Sequence, residues 1–263
     1  VYPELHLGPL TLQTFGLMFA LAFLAAGALV AKRLGEIGKP VDWAYELCFS
    51  ALAGGIVGSR VYFIVQNYDS VKDDLLGKIF SGSGLVWYGG AIGGALAVLL
   101  WAHYRGFLGL VLLDLCAPAL ALGYAIGRCG CQLSGDGDYG KAWNGPWAMS
   151  YPDGTVPTDQ TVHPTPVYET LAMGLGAWIL WQLRDRFRAG VLFAIYLVYA
   201  GTERFLVEFI RRNDAVALGL TSAQLESLGM MIAGTLWIYA VKRRHGNLGR
   251  PGGRLVAAAE IQT

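Results

Sequence analysis

Seven apolar stretches, each roughly the 20 residues needed to cross a bilayer core, divide this chain of 263 residues. They run near 12–31, 46–66, 84–102, 109–127, 165–183, 190–210 and 218–241. A lipid interior gives the backbone no water to bond, so such stretches have to form helices. The fourth is interrupted by Asp114 and Pro118. Only 15% of the residues are charged and 54% are hydrophobic, against about 25% charged in a soluble domain. The expectation is an all-α integral membrane protein of about seven transmembrane helices. Residues 1–245 would form one transmembrane domain, and 246–263 a flexible cytoplasmic tail.

Charge sets the orientation. Lys32, Arg33, Lys39, Arg105, Arg184, Arg186, Arg188 and the basic run from Lys242 onward fall at one set of helix ends. The other ends carry fewer cations and several aspartates, among them Asp69, Asp136, Asp138, Asp153 and Asp159. Positive ends stay in the cytoplasm, which places the N-terminus outside and the C-terminus inside. The 67–83 and 128–164 loops then lie outside. The 128–164 loop contains Trp143, Trp147 and Tyr151, so it reads as a folded extracytoplasmic cap over the membrane surface. In the first segment the basic residues follow the apolar run, the reverse of a cleaved leader. A net charge of +1 without a basic face excludes nucleic acid as a partner. Four cysteines, two of them in apolar runs, do not make a disulfide framework, and Cys129-Gly-Cys131 lacks the second ligand pair of a zinc site. No metal or cofactor is expected.

Chemistry concentrates in Gly123–Gly140, where an apolar helix passes into a glycine-rich polar loop carrying Arg128, Cys129, Cys131, Asp136 and Asp138. An arginine at membrane depth is costly unless it is paired or faces a polar cavity. The bland alternative is a tight turn with Arg128 reaching to lipid headgroups. Arg60 follows Gly54, Gly55 and Gly58 on the second segment, and Glu46 lies roughly 21 Å away along that helix, so the two cannot pair. Gly89, Gly90, Gly93 and Gly94 have the spacing of close helix packing, next to Tyr88. Arg204, Glu208 and Arg211 share one stripe at i, i+4, i+7. That stripe is either a structural ion ladder or a site, and burying so much charge for architecture alone is expensive. His163, ahead of Pro164, suits a helix cap, a phosphate ligand or a general base.

Together these stretches resemble the prolipoprotein diacylglyceryl transferase family. The likeness runs through Gly8-Pro9, Phe15–Met18, Gly58–Val61, Tyr88–Gly90, Gly127–Gly130, His163–Glu169 and Arg204–Arg211. Tyr88 stands where the family usually has His, Cys131 where it has Asn, Asp136 where it has Glu, and Phe15 where it has Tyr. The resemblance implies transfer of diacylglyceryl from phosphatidylglycerol to the lipobox cysteine of a prelipoprotein signal peptide, in the bacterial inner membrane. Arg128 and Arg204 would stabilise the phosphate, helped by Arg60 and Arg211, with Glu208 holding the guanidiniums. Tyr88, Asp136 and His163 are the candidate bases. Gly89, Gly90, Cys131, Gly140 and His163 would contact substrate or membrane lipid. Two alternatives are a transferase of this fold with another acceptor and a small-anion transporter, which also uses intramembrane charges and glycine-broken helices.

Overall fold

The computed structural model describes residues 1–68 and 86–251. Most of the 67–83 loop, including Asp69, Lys72 and Lys78, lies outside them, as does most of the tail expected from 246. Among the described residues there are seven helices, one in each predicted apolar segment. They are α1 (Thr14–Glu36), α2 (Trp43–Gln66), α3 (Trp87–Tyr104), α4 (Leu110–Ser134), α5 (Thr165–Leu183), α6 (Val191–Val207) and α7 (Ser222–His245). Short strands β1 (Glu4–Leu7) and β2 (Leu10–Gln13) form one antiparallel hairpin, and β3 (Met149–Tyr151) and β4 (Thr158–Val162) another. Helices α1, α2 and α4 are long and apolar enough to cross a membrane, with mean hydropathies of 2.2, 1.6 and 1.9. Only 6% of the most apolar window of α2 is buried within the protein. An apolar surface so exposed is made for lipid.

The chain divides into two compact units, one holding Ala31–Leu112 and the other the first 30 residues with the described residues from Leu113 onward. In the first, α2 and α3 cross on glycine. A Cβ added at Gly93 would sit 2.7 Å from the Cα of Gly58, and one at Gly58 equally close to the Cα of Gly93. Only residues without side chains let backbones approach so closely. Glu46, too far along α2 to reach Arg60, accepts from Trp101 Nε1 at 2.7 Å and Arg105 Nε at 2.8 Å, tying α2 to the end of α3.

In the second unit α4 is continuous through Asp114 and Pro118. Asp114 owes its place to α6, since its carboxylate accepts from Gly190 N at 2.7 Å and Phe193 N at 2.8 Å. It supplies from another helix the acceptors that the first turn of α6 lacks. Ala117, Ala121 and Ala125 of α4 pack with Met173, Ala177 and Leu180 of α5 and with Leu192 and Ala200 of α6. Gly201 faces α7, where a Cβ would meet Ser227 O at 2.8 Å. Thr221 and Gln224 close a reciprocal capping box at the start of α7.

The loop between α4 and α5 is ordered by backbone bonds. Thr155 N and Val156 N donate to Ser134 O and Gly135 O, at 2.8 and 2.9 Å, while Lys141 N donates to Ile210 O at 2.7 Å. Gly135 and Gly137 turn the chain at φ +58° and +94°, where side chains are disfavoured. Tyr139 and Tyr151 stack at 4.9 Å beside Val162 to form the loop's own small core.

Candidate active site

Three arginines converge on one wholly buried carboxylate. Glu169, on the first turns of α5, is 0% exposed. Its Oε1 lies 3.3 Å from Arg128 Nη2 and 3.2 Å from Arg204 Nη1, and its Oε2 lies 3.4 Å from Arg211 Nη1. The hydroxyl of Tyr124, one turn before Arg128 on α4, donates to Glu169 Oε1 at 2.8 Å and accepts from Arg128 Nη2 at 3.1 Å. The Arg128 guanidinium also lies 4.9 Å from the Tyr124 ring centre, a favourable cation–aromatic contact.

Two further carboxylates complete the centre. Asp138, from the loop, pairs with both Arg128 and Arg211. Burial alone would raise its pKa, but Arg128 and Arg211 outweigh that and hold its carboxyl below the ordinary value. Glu208 Oε2 lies 2.9 Å from Arg204 Nη2 and 3.8 Å from Arg211 Nε. The first of these is a charge contact without hydrogen-bond alignment. Asn213 Nδ2 donates to Glu208 Oε1 at 2.6 Å. Helix α6 ends at Val207 and the chain continues in turns, yet Arg211 Nε still lies 3.8 Å from Glu208, the one carboxylate of its stripe; Glu169 and Asp138 come from elsewhere in the chain.

The structure thus brings Arg128, Arg204, Glu208 and Arg211 together and adds Glu169, Tyr124 and Asp138. Cys131 lies beside them, its Sγ 3.8 Å from Arg128 Nη1. Asp136 accepts from Asp138 N at 3.2 Å, so it shapes the turn that presents Asp138. Cys131, Asp136 and Asp138 offer ligand atoms within 4.8 Å of one another. Asp138 is already engaged by two guanidiniums, whose charge opposes a cation there, so the group belongs to the arginine centre. Gly140 lies tight under the end of α6, where a Cβ would meet Ile210 O at 2.6 Å. His163 does not cap α5, whose start has no side-chain cap. Its ring stacks on Trp143 at 4.4 Å, and its Nδ1 is 3.3 Å from Tyr168 Oη, which also accepts from Trp147 Nε1 at 2.7 Å. Burial lowers its pKa. Tyr88, Arg60, Gly89 and Gly90 belong to the other unit. There Tyr88 is 39% exposed, with its ring 6.5 Å from that of Tyr62, and Gly89 and Gly90 face α2.

Guanidiniums held in place by carboxylates are preorganised to receive a planar or tetrahedral oxyanion. Arg204 keeps 22% of its side chain exposed, enough to meet a ligand. Helices long and apolar enough to cross a membrane and a buried centre of guanidiniums held by carboxylates define a helical membrane protein with a charged site.

Comparison with known proteins narrows this. The family model of prolipoprotein diacylglyceryl transferase matches residues 4–240, and the chain belongs to that family. It is 31% identical to the phosphatidylglycerol–prolipoprotein diacylglyceryl transferase of Clostridium tetani, over 89% of this chain and 94% of that one. It is 31% identical to the transferase of the same name from Vibrio parahaemolyticus, over 90% and 89% of the two chains. With that of Aeromonas salmonicida it shares 32% identity over 94% and 92%.

Proposed function

We propose that this protein transfers the diacylglyceryl group of phosphatidylglycerol to the lipobox cysteine thiol of a prelipoprotein, forming a thioether and releasing glycerol phosphate. The observation that carries the reading is the convergence of Arg128, Arg204 and Arg211 on Glu169 within a chain of this family. A phosphodiester is a poor leaving group until the charge developing on its departing oxygen is stabilised. Arg128 and Arg204 supply fixed donors for that charge, and Arg211 supports them; Arg60, in the other unit, is a further substrate-binding cation. Glu208 and Glu169 hold the forks in register. Cys131, Gly140 and His163 line the approach of lipid and peptide, and Tyr88, Gly89 and Gly90, in the other unit, contact substrate. In this reading all seven helices span the bacterial inner membrane, with the N-terminus and the arginine centre towards the outside, where both substrates arrive embedded in lipid. Neither the fold nor the relatives favour a different acceptor or a small-anion transporter.

The test is direct. Purified protein in phosphatidylglycerol vesicles is given a synthetic lipobox peptide. The peptide should gain one diacylglyceryl mass for each glycerol phosphate released, and a peptide with serine in place of the cysteine should stay unmodified. Glycerol phosphate release without peptide modification, or no reaction at all, would reject the assignment.

A further inference from the structure

The acids of the arginine centre are not equivalent. Glu169, Glu208 and Asp138 each hold at least one guanidinium and serve as its partners. Glu203 is different. It precedes Arg204 on α6, is half-buried, and among the described residues makes no hydrogen bond or ion pair.

Its direction follows from its helix. Tyr199, one turn earlier on the same stripe, donates its hydroxyl to Ala172 O of α5 at 2.6 Å. Glu203 therefore continues the face turned to α5, the helix that carries Glu169. Consistently, the groups that interact with it electrostatically include Glu169 of α5, Arg128 and Tyr124 of α4, Tyr199 and Arg204 of its own helix, and Arg211 beyond it. Gly201, on another side of α6, packs on α7. Glu203 is thus a carboxylate that faces the arginine centre without serving as an arginine's partner.

The proposed transfer needs such a group. We infer that Glu203 is a catalytic residue that accepts the proton of the acceptor thiol. This rests on the transferase reading above. The S–H bond breaks with its proton passing to the Glu203 carboxylate, and the sulfur electron pair forms the S–C bond to the glyceryl carbon. The C–O bond to phosphate breaks, and its electron pair leaves on the phosphate oxygen, which the arginines hold. The proton then passes from Glu203 to the departing glycerol phosphate, so the balance closes without another reactant. Asp136 is engaged with the Asp138 amide and His163 lies in the aromatic stack of the loop, so neither shows the unengaged, centre-facing arrangement of Glu203.

The decisive experiment changes the acceptor as well as the enzyme. Glu203→Gln keeps shape and removes the base, so turnover of a cysteine lipobox peptide in phosphatidylglycerol vesicles should fall about 10²- to 10⁴-fold. A selenocysteine peptide, whose selenol is already ionised at neutral pH, should lose less than about tenfold. Near-normal turnover of the thiol, or equal losses with both nucleophiles, would overturn the inference while leaving the transferase reading intact. A wild type inert towards both peptides would remove that reading and the inference with it. Glu203→Asp provides a variant of unchanged charge. Its rate should partly recover, with the rising limb of kcat/KM against pH displaced from that of the wild type. An undisplaced limb would count against Glu203.

Discussion

At the scale of single residues, Glu169 is the group on which the centre depends most. Three guanidiniums share its two oxygens, so neutralising it would leave them against Glu208 and Asp138 alone. Removing one partner of a buried ion pair costs about 3–5 kcal/mol. Glu169→Gln should therefore lower the thermal unfolding midpoint in detergent sharply and abolish transfer. Tyr124→Phe keeps the ring beside Arg128 and leaves every guanidinium its carboxylate, but removes two hydrogen bonds to charged partners, each worth about 1.5–3 kcal/mol, so that variant should lose some stability and turnover while the ion pairs persist. A smaller drop in the unfolding midpoint for Glu169→Gln than for Tyr124→Phe would show that Glu169 is not the hub. The arginines were legible in the sequence because a cation in an apolar stretch stands out. Glu169 was not, although it lies in a segment already noted for His163, because its partners come from 128, 204 and 211 and nothing local announces them. Tyr124 was hidden for a related reason, since a tyrosine in an apolar helix resembles any lipid-facing aromatic.

At the scale of helices, hydrophobic length was enough to locate all seven, since each segment near 20 residues holds one. What it left open was the meaning of interruptions and small residues. Asp114, which weakened the fourth segment in the sequence, caps α6 from outside it, a contact across 76 residues. The glycines divide by neighbour. A Cβ at Gly93 would strike the backbone of α2, whereas one at Gly90 has 3.5 Å to Gly55 O. Gly93→Ala should therefore reduce the yield of folded protein. Gly90→Ala should fold normally, yet transfer more slowly if this residue contacts lipid substrate. Size-exclusion profiles and unfolding midpoints measure the first effect and the vesicle assay the second. Equal folding of the two variants would deny the glycine seam its role.

For the molecule as a whole, composition and the excess of basic residues at one set of ends predict how the chain sits in its membrane. The four native cysteines are free thiols, so a labelling experiment needs a background without them. In that background Asp153→Cys should react with an impermeant maleimide added to intact cells, and Arg186→Cys only after the membrane is opened. Both positions are exposed, so accessibility to water does not bias the comparison. The opposite pattern would turn the arginine centre towards the cytoplasm and reject the proposed meeting place of lipid and prelipoprotein.

The arginine centre joins Arg128, Arg204 and Arg211 to Glu169, Glu208 and Asp138. With all six ionised, their charges cancel. A transmembrane voltage acts on net charge, by about 2.3 kcal/mol per elementary charge for each 100 mV. Three lone arginines at that depth would be pulled whenever the cell's potential changed. The six paired groups together carry no net charge for such a field to move, where the three arginines alone would carry three.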